Sequence, residues 1–141
     1  MSRFEAYLIR TALIYLVLTG LLGLLMVLKP ELMVYFRTTH FHLGFIGFFL
    51  GIVMGVAYWM MPRPGGLRQE RLEAITFFLL NSGTILRLIT EPWWRMTGHE
   101  TLHLLVFLSA LLQFMAMFVF AVAMWQRVKT KEYIIKLRTE K

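Results

Sequence analysis

The sequence predicts an all-α membrane protein of four transmembrane helices, with antiparallel neighbours and both termini cytoplasmic. Three observations predict it: an unusually apolar composition, four apolar runs of bilayer-spanning length, and basic residues gathered at one side of those runs. Hydrophobic residues make up 58% of the 141 positions and charged residues only 16%, against about 45–50% and about 25% in soluble domains. Each crossing consumes about 20 residues, which leaves no room for a separate soluble domain and predicts one membrane domain over residues 1–141.

The spans are read at about 9–28, 41–61, 72–90 and 102–125. Each is long enough to cross roughly 30 Å of hydrocarbon, and backbone groups in lipid must bond internally, so each is a helix. Helix-breaking residues separate them: Lys29-Pro30 after the first, Pro62-Arg63-Pro64-Gly65-Gly66 after the second, and Glu91-Pro92 after the third. Short connections make neighbours antiparallel. Thr38 and Thr39 read as a start signal just before His40, and Thr97-x-x-Glu100 reads as a capping box opening the fourth span. No short leader with a small-residue cleavage site precedes the first span, which is therefore expected to stay in the mature protein.

Charge sets the expected orientation. Eleven Lys and Arg residues fall on one side, six of them in the tail 127–141, and only Lys29, Arg37, Arg87 and Arg95 on the other. The positive-inside rule then places both ends in the cytoplasm of a bacterial or archaeal membrane. The net charge of +7 is read as this topology signal, not as a nucleic-acid surface. The tail reads as a solvated anchor or a short amphipathic helix on the anionic leaflet.

The absence of cysteine excludes disulfides, cysteine zinc sites, iron–sulfur clusters and covalent c-type haem. Any cofactor is held non-covalently, and histidine is the best ligand available. His40 and His42 begin the second predicted span and His99 and His103 the fourth. These two spans run the same way, so all four histidines are expected at one depth, on the non-cytoplasmic side. Ionisable groups inside spans are costly and usually mark function. Two residues correspond to about 200° of helical rotation, so His40 and His42 point to nearly opposite sides. His99 and His103, four apart, share a face. The bland alternative is interfacial hydrogen bonding to headgroups, and it applies most readily to His99.

The stretch His40-Phe41-His42-Leu43-Gly44-Phe45-Ile46-Gly47, continuing to Tyr58-Trp59-Met60-Met61-Pro62, resembles the tenth helix of haem–copper oxidase catalytic subunits. It is most similar to the cbb-type oxidases and nitric-oxide reductases, and Arg37-x-x-His40 resembles a second ligand motif of that family. The resemblance covers about 25 residues and implies a haem-b-binding single four-helix module, one of three arcs, in which His40 corresponds to the ligand of the high-spin haem and His42 to that of the low-spin haem, from opposite helix faces. It implies a cytochrome for electron transfer or diatomic gas binding. No adjacent His-His pair matches the family's copper site, so turnover at a binuclear centre is not expected.

Haem propionates need cationic partners. Arg87 is the first choice, with pairing to Glu91 or snorkelling as its alternative, and Arg37 and Arg95 are second choices. The ligand pair is read either as His42 with His103 inside one bundle or as His40 and His42 from adjacent protomers. The second option implies a homo-oligomer with haem at the interface and quinone or a redox protein as partner. The rival class is a copper- or haem-handling accessory, using His99 and His103, or a structural subunit of a respiratory complex. Gly47, Gly51 and Gly55 form a small-residue stripe expected to allow tight helix packing.

Overall fold

The computed structural model describes residues 1–63 and 69–128. The Pro64-Gly65-Gly66 break and residues 129–141 of the basic tail lie outside that description. Helix α1 covers Arg3–Leu28, a 3₁₀ turn covers Pro30–Leu32, and α2 covers Met33–His42. A π-helical segment, Leu43–Leu50, carries the chain without interruption into α3, Gly51–Met60. Helices α4, Glu70–Thr97, and α5, Glu100–Trp125, complete the order. Among the described residues four helical stretches are long and apolar enough to cross a membrane, with α2, the π segment and α3 together forming the second.

Four boundaries differ from expectation. Helix α1 starts six residues early because Ser2 accepts from the Glu5 amide while the Glu5 carboxylate takes the Ser2 amide, a complete capping box. The second span opens at the Pro30–Leu32 turn, not at Thr38 and Thr39, because proline is preset for a first helical position. Thr39 is instead buried inside α2 and donates to Glu91 at 3.3 Å. Helix α4 runs through Pro92 to Thr97 and stops at Gly98, whose φ of 70° is left-handed. Proline at 92 removes one ladder bond, but Glu91 and Pro92 are packed in the interior, and tertiary burial outweighs that local cost. The capping box at Thr97 and Glu100 does not form. Thr97 closes α4 and bonds back to the Trp93 carbonyl at 2.8 Å, leaving His99 as the residue that precedes α5.

Helix α4 is the centre of the assembly. It runs antiparallel to α5 along its whole length, from Gln69 on Gln126 at 3.3 Å to Trp94 on His103 at 5.0 Å between ring centres. Helix α1 runs antiparallel to the second span, with Gly23 against His40, Tyr15 against Gly47 and Ile9 against Gly55. A Cβ at Gly55 would stand 2.7 Å from Ile9 Cγ1 and 3.3 Å from the Ile9 nitrogen. The small-residue stripe therefore does what was expected of it, letting two backbones approach closely. Polar bonds tie the helices together within the apolar layer: Tyr15 to Asn81 at 2.9 Å, Tyr58 to Thr76 at 2.9 Å and Gln113 to Thr84 at 3.3 Å.

The described ends of the chain meet around Glu73. Ser2 Oγ donates to Glu73, and Arg63 pairs with Glu5 at 3.3 Å. Arg127, just past α5, donates to the Tyr58 carbonyl at 2.8 Å and to Gln69 at 3.0 Å, and lies 3.7 Å from Glu73. Glu5, Glu73 and Arg127 are all buried. Such charges persist in a low-dielectric interior only when paired.

Candidate functional site

At the opposite end of α4, the histidines sit in three different surroundings. His40 and His42 lie in the last turn of α2, seven or more residues inside the span, deeper than the helix start expected of them. His103 lies in the first turn of α5 and His99 just before it, and both are exposed.

The His40 ring is laid against α1. Its Cε1 and Nδ1 would stand 3.1 Å and 3.7 Å from a Cβ at Gly23, so glycine at that position makes room for the imidazole. Nδ1 of His40 is buried with no hydrogen-bond partner among the described residues. His42 turns elsewhere, as the rotation between the two positions requires. Its Nδ1 lies 2.9 Å from the Thr38 carbonyl, the geometry of an N–H donating to a backbone oxygen. The side chain is 29% exposed, and it opens on a shallow recess of about 260 Å³ lined by Phe41, His42, Phe45 and Ile46. Among the described residues no hydrogen bond engages Nε2 of His42. The π-helical segment begins at the next residue; such segments often occur at functional positions because they re-phase a helix within an otherwise regular span.

Behind His42 stands a buried carboxylate. Glu91 accepts from Arg87 Nε and Nη2, both at 3.3 Å, and from Thr39 at 3.3 Å, and its Oε2 is 3.9 Å from His42 Nδ1. Arg87 lies ten residues before the end of α4, about 15 Å of rise. Its guanidinium is engaged by Glu91, the alternative to a propionate contact. The i,i+4 spacing of the pair was a legible signal. Glu91 as the neighbour of His42 was not, since it needs α2 and α4 to be docked.

Arg95 is better placed for an anion at this end. It donates to Thr38 Oγ1 at 3.1 Å, and Thr38 is the residue whose carbonyl holds His42. Its guanidinium also lies 5.6 Å from the Trp94 ring centre. Arg37 is exposed on α2. The His103 ring packs at 31° on Trp94, so Trp94 is a contact of this cluster as well as a residue of the helix end.

The structure thus brings together His42, Thr38, Thr39, Arg87, Glu91 and Arg95. None of the ring and hydrogen-bond contacts described for His40, His42 or His103 joins two histidines. Among the described residues no group of three or more His, Asp or Glu side chains is arranged to hold a metal ion by itself. A cofactor held here would use one imidazole from this copy, His42, with its Nδ1 proton committed and its Nε2 available. Comparison with protein-family models, with curated proteins and with solved structures finds no match for this chain.

Proposed function

We propose that this chain is a b-type haem-binding membrane protein, a cytochrome related to one four-helix module of the haem–copper oxidase catalytic subunit, with a role in electron transfer or diatomic gas binding. The observation that carries the reading is the state of His42. Nδ1 donates to the Thr38 carbonyl, the imidazole lines an apolar recess, and among the described residues no hydrogen bond engages Nε2. Axial and metal-bound histidines have this arrangement, because the second-shell acceptor fixes the tautomer and leaves the other nitrogen to bind. Phe41 and Phe45 on either side offer flat apolar contact, and Arg95 offers a cation within the same Thr38-centred cluster.

From this copy His42 would hold the haem and Arg95 would neutralise one of its propionates. Within one copy none of the described contacts joins His42 to another imidazole: His40 lies in the α1 groove and His103 packs on Trp94. We therefore favour a homo-oligomer, in which two copies related by a two-fold axis each offer His42 to one haem. This replaces the alternation of His40 and His42, because His42 is the imidazole that opens outward. Bound haem b would supply a reversible one-electron iron centre. The non-cytoplasmic placement of the histidine end rests on the excess of basic residues at the other end.

The test is a reduced-minus-oxidised spectrum with pyridine haemochrome analysis of the purified protein, repeated on His42→Ala and His40→Ala. The two-fold reading expects loss of haem in the first and retention in the second. Loss in both restores the His40 and His42 pair across an interface. A colourless wild-type protein that binds copper through His99 and His103 would overturn the haem reading in favour of the metal-handling class.

A further inference from the structure

Glu91 is 1% exposed and is held from two sides. Arg87 grips both oxygens from one turn below on α4, and Thr39 reaches across from α2. Residues 38 to 42 are thereby tied to α4 twice at this level, by Thr39 on Glu91 and by Thr38 on Arg95. His42 Nδ1 consequently faces two electron-rich atoms, the Thr38 oxygen at 2.9 Å and Glu91 Oε2 at 3.9 Å. A lone pair on Nδ1 would oppose both oxygens. A proton there bonds the first and is attracted by the second. In a span, where water does not screen, this preference is stronger than at a surface.

We propose that Glu91 is a positioning residue for His42: clamped by Arg87 and Thr39, its carboxylate holds the imidazole in the Nδ1–H tautomer, so that Nε2 keeps an unprotonated lone pair available to a ligand. The tautomer assignment stands on the residues themselves. Its use in holding iron rests on the haem reading above. A fixed negative charge beside the imidazole also makes it a better electron donor to iron, which favours the oxidised state.

The full chain, ¹⁵N-labelled at histidine and placed in lipid nanodiscs, gives a readout that needs no haem. The His42 signals, identified by their loss in His42→Ala, are expected to show a protonated Nδ1 and an unprotonated Nε2. Glu91→Gln removes the charge and supplies an amide N–H that can donate to Nδ1, so the Nε2–H form is expected to become populated. Haem affinity should fall by about 10- to 100-fold, the usual effect of removing an outer partner of a ligating histidine. Arg87→Gln frees the carboxylate to approach Nδ1–H, so the His42 Nδ1–H signal is expected to shift towards a stronger hydrogen bond; where Glu91→Gln does not fold, an unmoved His42 signal in folded Arg87→Gln overturns the proposal. A wild-type His42 carrying its proton on Nε2 overturns the proposal. So does an unchanged tautomer and unchanged haem affinity in folded Glu91→Gln. A wild-type protein that binds no haem overturns the functional reading but leaves the tautomer result to decide the role of Glu91.

Discussion

Replacing Arg127 by leucine should destabilise the protein more than any single change at its surface. The guanidinium makes two hydrogen bonds, to the Tyr58 carbonyl at 2.8 Å and to Gln69 at 3.0 Å, stands 3.7 Å from Glu73, and lies 5.1 Å from the centre of the Tyr58 ring. Leucine recovers some apolar packing but leaves the Glu73 carboxylate buried beside Glu5, with Ser2 as its remaining hydrogen-bond partner. Breaking a buried pair from one side costs about 3–5 kcal/mol because the surviving charge is uncompensated. That is about two to four orders of magnitude in the folded-to-unfolded ratio. Equilibrium unfolding in mixed detergent micelles, followed by tryptophan fluorescence and far-ultraviolet circular dichroism, reads the change. A double-mutant cycle isolates its cause. Glu73→Gln keeps an acceptor for Ser2 and removes the orphaned charge, so Arg127→Leu combined with Glu73→Gln should lose less than Arg127→Leu alone. A loss below about 1 kcal/mol for Arg127→Leu, or simple additivity in the cycle, would refute the account of this cluster as a coupled ionic node.

Gly83→Ala should cost about 1–3 kcal/mol in the same assay, because the added Cβ would stand 2.9 Å from the Ser109 carbonyl oxygen and 3.1 Å from the Gln113 nitrogen, backbone atoms that cannot turn aside. On the proposed haem reading, His42→Ala should remove haem while leaving the far-ultraviolet spectrum unchanged; a retained low-spin spectrum would exclude it as a ligand. If the chain binds haem as proposed, Arg87→Leu should lower its reduction potential, since it removes a nearby cation and releases Glu91 towards Nδ1–H of His42, and both effects favour oxidised iron. An unmoved potential in a redox titration would mean that neither charge is felt at the iron.

Spans and their boundaries were unequally legible. The four apolar runs were plain because hydrocarbon demands about 20 apolar residues and internally bonded backbone whatever the neighbouring helices do. The helix ends were less plain. Thr39 carries the same signature whether it caps a helix or donates to a carboxylate 52 positions away, and Pro92 breaks a helix unless tertiary packing compensates for it. Glu5 and Glu73 sit in ordinary first-turn positions; only the meeting of Ser2 and Arg127 with α4 turns them into a buried node.

By itself the sequence determined the four apolar spans, the absence of thiol ligands and disulfides, and the opposite facing of His40 and His42 on one helix. These follow from composition and from periodicity along single helices. The tertiary structure alone decided which way each imidazole faces: His40 into the groove made by Gly23, His42 onto Thr38 beside Glu91, and His103 onto Trp94. Helical rotation fixes the angle between two side chains on one helix, but what they meet depends on how that helix is docked. Here the docking comes from a glycine stripe on one side of the second span and a clamped carboxylate on the other, contacts between residues far apart in the chain.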